Sequence, residues 1–122
     1  MRRPRREESA MTEIKDDRAR GVLEAREGGE VVGHVVYFTL DEPEAALVPV
    51  HTEVDSAHEG KGIAGALATE LYAIAGREGF AVVPLCPYVA KWAERHPDQA
   101  PAASDALLRA ALDKVRTDPS AW

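Results

Sequence analysis

A glycine-rich hexapeptide is the part of this sequence whose residue types and spacing most directly predict chemistry. It reads Gly60-Lys61-Gly62-Ile63-Ala64-Gly65, and it lies between a β-type apolar segment and a run with helical periodicity. Backbone N–H groups at a helix start form an anion site where glycines leave them open, and Lys61 adds a positive charge. The hexapeptide therefore predicts binding of a phosphate or pyrophosphate group.

The same hexapeptide also matches the G-x-G-x-x-G pattern of dinucleotide-binding folds. That interpretation needs an acidic residue about 20 positions later, at the end of the next strand, to hold the ribose. The next predicted strand ends in Leu85-Cys86-Pro87 without a carboxylate, and the chain after it has too little β-type sequence for a Rossmann half. The nucleoside-triphosphate motif G-x-x-x-x-G-K-[ST] is absent. A glycine turn that only starts a helix remains an alternative.

Two side chains near the end of the same strand could donate a proton. Cys86 stands directly before Pro87, and the unperturbed thiol pKa of about 8.5 suits protonation of a departing thiolate. Cys86 could also accept an acyl group itself, or it could be a small buried hydrophobe. Tyr88, two residues later, is an ionisable phenol, and its alternative is an amphipathic core residue. Both residues are predicted to be catalytic.

Candidate bases lie one strand earlier. His51 and Glu53 are two residues apart, so strand alternation places them on one face, with Thr52 on the other. Either could deprotonate an ammonium group directly or through water. A Cys-His-Asp hydrolase triad has its residue types in Cys86, Asp55 and either His51 or His96, but no spacing supports it.

The histidines that this chemistry leaves unused are scattered along the sequence. They are His34, His58 and His96, and each looks isolated from the others. A protein metal site needs several ligands brought together, and their spacing shows no ligand motif. The sequence therefore predicts no metal site.

The elements that must position these groups begin with an antiparallel meander. Residues 21–25 and 31–40 are β-type runs around a glycine turn, which predicts a hairpin. Residues 45–54 predict a third strand, in which Pro49 cannot donate a ladder hydrogen bond and so indicates an edge or a bulge.

The second half of the sequence has helical patterns in addition to β-type runs. Apolar residues at spacings of three and four predict a helix that begins at the glycine loop and ends at Gly79. Residues 80–86 predict a strand, so strand, helix and strand form a parallel β-α-β unit. A short helix over 89–95 and a last helix capped by Ser104 follow. The predicted buried face of that last helix is Leu107, Leu108, Ala111, Leu112 and Val115. The fold class is α+β with one mixed sheet and a C-terminal helix.

Composition excludes several classes of protein. The chain has 122 residues, a formal net charge of −6 and 45% hydrophobic residues, which fits one globular domain. No apolar run reaches the roughly 20 residues that a transmembrane helix needs. The acidic balance argues against general nucleic-acid binding. We expect no nucleic-acid partner, no membrane and a cytoplasmic location.

Three segments are predicted. Residues 1–12 are a disordered basic tail, for which a nucleic-acid-binding arm is the alternative, and Met11 could be the true start. Residues 13–98 are the ligand-binding domain, and residues 99–122 are a loop and helix packed on that domain.

The segment 54–64 resembles the acetyl-CoA signature [Q/R]-x-x-G-x-[G/A] of the GNAT N-acetyltransferase superfamily. Gly62 and Ala64 match it, whereas Glu59 stands where Gln or Arg is expected. Together with His51-Thr52-Glu53-Val54 and the segment 83–89, the loop is similar to a small single-domain GNAT-like subfamily over residues 21–98.

The resemblance implies that acetyl-CoA is the co-substrate and lies where strands 46–54 and 80–86 splay apart. Backbone N–H groups near Val54 would polarise the thioester carbonyl, and the cofactor-binding residues would be Val54, Gly60, Lys61, Gly62, Ile63, Ala64 and Gly65. The resemblance also implies that Tyr88 is the alternative donor of the proton that the CoA thiolate takes, because a phenol often has this role in the superfamily. The acetyl acceptor would be a small-molecule or protein amine, and a homodimer could complete its pocket. An acyl-CoA-binding module with little turnover is the main alternative, and a pure interaction domain is a third.

Overall fold

A computed structural model describes residues 12–117 as one five-stranded sheet with helices on both faces. The sheet order is β1-β2-β3-β4-β5. The strands are β1 (Thr12–Asp17), β2 (Val22–Glu27), β3 (Glu30–Leu40), β4 (Ala46–Val54) and β5 (Ala81–Val82). The helices are α1 (Ile63–Glu78), α2 (Pro87–Arg95) and α3 (Asp105–Thr117), and a short 3-10 turn covers Ser56–His58. The α+β class is confirmed.

The predicted hairpin is present as β2 and β3, joined through Gly28 and Gly29, which have φ of 59° and 85°. The sequence did not predict β1, which pairs antiparallel with β2 at the edge of the sheet. Its residues, TEIKDD, include a single apolar side chain, because an edge strand with little buried surface needs no apolar alternation. Thr12 begins this strand, so the predicted tail boundary overlaps it by one residue, and residues 1–11 lie outside the described part.

β4 pairs antiparallel with β3 and parallel with β5, as predicted. Val36 of β3 pairs with His51 of β4, and the next residue, Tyr37, pairs with Pro49. β4 therefore contains one extra residue, Val50, at this point. The predicted irregularity at Pro49 is therefore a β-bulge.

The strand predicted over 80–86 is shorter in the structure, where β5 has two residues. Val83 N still donates to Leu47 O at 2.9 Å. Pro84, which has no N–H, follows, and Leu85 N and Cys86 N then both donate to Pro49 O. Beyond that carbonyl the two chain segments no longer pair.

Two apolar clusters cover the two faces of the sheet. The larger one lies under α1 and α2, where Leu67 and Leu71 of α1 are fully buried. The smaller one lies under α3 and comprises Phe38, Leu40, Ala46, Val48, Val83, Leu107 and Ala111.

Ser104 caps α3 as predicted, because its Oγ accepts from Leu107 N at 3.2 Å. The predicted apolar face of this helix is wrong in two places. Leu108 and Leu112 are 42% and 44% exposed, because the helix meets the sheet along the Leu107 and Ala111 edge.

None of the helices within residues 12–117 is both long enough and apolar enough to cross a membrane.

Candidate active site

The glycine loop presents open backbone at the start of α1. Gly60 and Gly62 have φ of 85° and 80°, a conformation that side chains with a Cβ rarely adopt. A Cβ added at either position would meet nothing within 4 Å, so backbone conformation, not crowding, requires these glycines. Gly62 is the N-cap and provides no side-chain cap, so the first N–H groups of α1 have no side-chain acceptor. A ligand can approach this backbone from the empty side.

Gly33 of β3 explains how the start of α1 lies so close to the sheet. A Cβ there would lie 3.0 Å from Ile63 Cγ2 and 3.3 Å from Glu53 O. The helix start therefore sits directly above β3 and β4, and this glycine is required by close approach. The sequence singled out the glycines of the loop but not this one.

The last residues of β4 have an open edge toward β5. Asp55 N donates to Val32 O at 2.8 Å, so this N–H points toward β3. Because successive N–H groups along a strand point to opposite sides, the N–H groups of Thr52 and Val54 point away from β3. The segment after Val83 turns away at the Pro49 carbonyl, so these two groups border the splay. The GNAT resemblance implied that an N–H group near Val54 lies at this splay.

Cys86 lies at the same splay but inside the core. It is 3% exposed, is the N-cap residue of α2, and its Sγ is 3.2 Å from Thr52 Oγ1, with either atom as donor. The thiol is therefore a hydrogen-bonded core group at the edge of the splay. Small-molecule access to it would require local movement.

Tyr88 occupies the first turn of α2 and is 41% exposed. A Cβ built on Gly65 would lie 3.7 Å from its hydroxyl oxygen and 3.9 Å from Trp92 Nε1. The phenol thus lies beside the first turn of α1, next to the glycine loop. The Tyr88 side chain is thus accessible to solvent, and its hydroxyl lies between α1 and α2.

His51 and Glu53 lie on the face of β4 opposite Thr52, as alternation predicts, and both are exposed. His51 Nε2 is 3.6 Å from Glu53 Oε1. The interpretation of His34 as isolated is wrong: its Nε2 is 3.8 Å from the same carboxylate oxygen, because His34 pairs with Glu53 across β3 and β4. His34 lies beside His51 and Glu53 because of the register between β3 and β4, which could not be predicted from the sequence.

The other histidines also have partners within residues 12–117. His58 contacts Glu27 at 3.3 Å and Asp55 at 3.2 Å. His96 stacks on Trp92 with ring centroids 4.2 Å apart, and its Nδ1 is 2.8 Å from Trp92 O. Neither His51, on the other face from Cys86, nor His96 contacts Asp55, so the residues considered for a Cys-His-Asp triad are not assembled.

An open cavity of about 630 Å³ lies where β3 and β4 meet the loop that precedes α1. Its lining carries three carboxylates, Glu53, Asp55 and Glu59, together with the His34 imidazole. No Lys or Arg is among its described lining residues. Its lining therefore favours a cationic ligand.

Comparison with known proteins decides the family. Residues 22–102 match the family model described as GCN5-related N-acetyl-transferase. The chain belongs to this family. The match begins at β2 and ends before α3, and the GNAT resemblance read from the glycine loop is confirmed. No curated protein matches the sequence.

Solved structures of GNAT enzymes are similar to this GNAT domain. A ribosomal-protein-alanine N-acetyltransferase from Brucella melitensis biovar Abortus 2308 is 33% identical, with a TM-score of 0.53, over 68% of this chain and 62% of that one. An aminoglycoside acetyltransferase from an uncultured soil metagenomic sample, in complex with trehalose, is 21% identical, with a TM-score of 0.49, over 83% of this chain and 58% of that one. The domain thus spans about three-fifths of the length of these enzymes.

Proposed function

We propose that this GNAT domain transfers the acetyl group of acetyl-CoA to an amine. The observation that carries the proposal is the open backbone at the start of α1, beside the open edge of β4. Family members generally use acetyl-CoA. The described residues fit that ligand, because free helix N-terminal N–H groups and Lys61 suit its pyrophosphate. The N–H groups of Thr52 and Val54 could donate hydrogen bonds to its extended arm, as they would to a neighbouring strand.

The proposed reaction is direct attack of a neutral amine on the thioester carbon. The Val54 N–H would stabilise negative charge on the carbonyl oxygen as the C–N bond forms. The C–S bond then breaks, the CoA thiolate takes a proton from Tyr88 or Cys86, and the nitrogen of the new amide loses its extra proton to the resulting phenolate or thiolate. His51 or Glu53 would first remove a proton from the ammonium form of the acceptor, directly or through water. Exposure favours Tyr88 over Cys86 as the donor.

The acceptor side of the proposal rests on charge. The cavity beside Glu53 has carboxylates and an imidazole but no described cationic side chain, which favours an acceptor that is itself an ammonium ion. Both a small polyamine and a protein amine fit that description. A second subunit that completes the acceptor pocket stays a prediction.

An acyl-CoA-binding module with little turnover is the second candidate. Two observations favour it: Glu59 is a carboxylate beside the glycine loop, where Gln or Arg is expected, and the Cys86 thiol is buried. Binding of acetyl-CoA without acetyl transfer to an amine would indicate the binding module and not the enzyme.

The test is a thermal-shift titration with acetyl-CoA, with NAD and ATP in parallel and Gly62→Trp as the negative variant. At 100 times its dissociation constant, a ligand of the native state adds about 2.7 kcal/mol of stability. A shift with acetyl-CoA alone, absent in Gly62→Trp, supports the proposed cofactor. A release assay for the CoA thiol with amine acceptors then separates enzyme from binding module. A shift with NAD alone, or none, would refute the proposal.

A further inference from the structure

Three side chains of types that can bind metal ions lie together on the exposed face of β3 and β4, opposite the face that carries Thr52 and Cys86. They are His34, His51 and Glu53, and one ligand atom from each lies within 4.8 Å of the other two. Two come from alternate positions of β4, and His34 comes from the paired position of β3. Their backbones belong to a continuous antiparallel ladder, so the arrangement rests on rigid elements.

These three groups do not satisfy one another. Both Nε2 atoms approach Glu53 Oε1, at 3.8 Å for His34 and 3.6 Å for His51, and both separations exceed hydrogen-bond length. The three ligand atoms therefore lie close together without being hydrogen-bonded to one another.

We propose that His34, His51 and Glu53 bind a divalent transition-metal ion of the Zn²⁺ class. Two imidazole nitrogens and one carboxylate oxygen form a known zinc donor set that leaves a fourth position for water. Exposed carboxylates alone would favour hard ions such as Mg²⁺, whereas the two imidazoles shift the preference toward Zn²⁺ and its neighbours.

The distances fit this ion with small movements. Ligands about 2.0–2.2 Å from a tetrahedral zinc ion lie about 3.3–3.6 Å from one another. The two histidine–carboxylate separations, 3.6 and 3.8 Å, need to contract by about half an ångström at most. The two imidazoles need the larger movement, and rotation of the exposed His51 side chain can supply it, since 57% of that side chain is accessible.

The surroundings leave room for the ion and its water. His34 and Glu53 line the open cavity of about 630 Å³, which provides an entry path. Its described lining has carboxylates and no Lys or Arg, so the local charge attracts a cation. Neither imidazole donates its second ring nitrogen to a described carboxylate or carbonyl group. We therefore expect weaker binding than in a site with such support.

The experiment is calorimetric titration of the metal-free full chain, without a histidine tag, with ZnCl₂. Single-site binding is expected. His34→Asn, His51→Asn and Glu53→Gln should each weaken it by more than the roughly tenfold that loss of a supporting partner costs. Thermal midpoints in chelator check that each variant is folded, and the result does not depend on acetyl transfer.

His58→Asn is the matched control, because His58 also lies between two carboxylates, Glu27 and Asp55. Imidazole ¹⁵N spectra give a second readout, in which zinc should shift the His34 and His51 resonances but not those of His58 and His96. No saturable binding, binding that survives all three substitutions, or binding that His58→Asn abolishes would each overturn the proposal.

Discussion

Gly62 and Gly79 begin and end the same helix in nearly the same backbone conformation. Gly62 is the N-cap of α1 with φ of 80°, and Gly79 is its C-cap with φ of 78°. A Cβ added at either glycine would meet nothing within 4 Å. The two positions therefore carry the same local strain on substitution, but only Gly62 belongs to the proposed pyrophosphate loop.

The first prediction uses this pair. Gly62→Ala and Gly79→Ala should each lower the free energy of unfolding by about 1–2 kcal/mol, because a Cβ disfavours the left-handed conformation. Only Gly62→Ala should also reduce the stabilisation by acetyl-CoA, since its backbone borders the proposed ligand. Thermal-shift titrations of both variants measure the two effects. Equal loss of the acetyl-CoA response in both would show that the response reports stability instead of contact.

The second prediction assigns the proton donor. Tyr88→Phe should leave folding and acetyl-CoA binding unchanged, because the hydroxyl belongs to an exposed side chain, while transfer falls by about 10²–10⁴-fold. Tyr72→Phe is the control phenol, since Tyr72 is buried in the core away from the glycine loop. Steady-state assays with one amine acceptor give both rates.

Cys86→Ala completes that experiment. If the thiol is the donor, transfer collapses in Cys86→Ala and survives in Tyr88→Phe, whereas acetyl-CoA binding persists in both. A core role for Cys86 predicts instead a lower unfolding midpoint with transfer retained, because the variant loses the Thr52 contact at 3.2 Å. The two outcomes cannot be confused when rate and midpoint are measured together.

The third prediction concerns alkaline pH. Burial raises the pKa of both Tyr37 and Tyr72 to about 12, and for Tyr37 the hydrogen bond to Asp16 at 2.5 Å adds to the rise. In the unfolded chain the pKa is about 10, so the contribution of each phenol is complete below that pH and is lost as pH rises toward 12.

Chemical denaturation across this range should therefore show stability falling by about 2 kcal/mol for each tyrosine. Tyr72→Phe should remove one of the two contributions and make the decline shallower. A pH profile of that variant that matches the unsubstituted chain would contradict the assignment.

The fourth prediction contrasts two glycines with ordinary φ. Gly33→Ala should destabilise the domain by about 1–3 kcal/mol, because its Cβ would lie 3.0 Å from Ile63 Cγ2 and force α1 outward. It should also weaken acetyl-CoA binding, since Ile63 begins the helix at the loop. Gly76→Ala, in the interior of α1 with nothing near its Cβ, should stabilise by about 0.5–1 kcal/mol. Denaturation curves test the opposite signs, and a stabilising Gly33→Ala would contradict the close approach.

Long, strongly patterned elements could be predicted from the sequence, and short or polar ones could not. The apolar spacing of α1 and the β-branched and aromatic residues of β3 reflect large buried surfaces, so both elements were predicted close to their observed bounds. β1 buries little and lacks such a pattern. β5 is short because Pro84 and the bulge at Pro49 separate the two strands. The length of β5 therefore depends on two segments that are distant in the sequence, and neither segment predicts it alone. The same reasoning failed for Leu108 and Leu112, since the docking angle of α3 selects which apolar residues meet the sheet.

The sequence by itself determined the glycine loop, its place at a helix start and the GNAT family, because backbone conformation and helix capping depend on neighbouring residues. Only the tertiary structure decided that Tyr88 lies beside Gly65, that Cys86 is buried against Thr52, and that His34 joins Glu53. Each of these contacts joins residues on different elements. Strand register and helix docking set such distances, and both depend on the packing of the whole core, which no local pattern encodes.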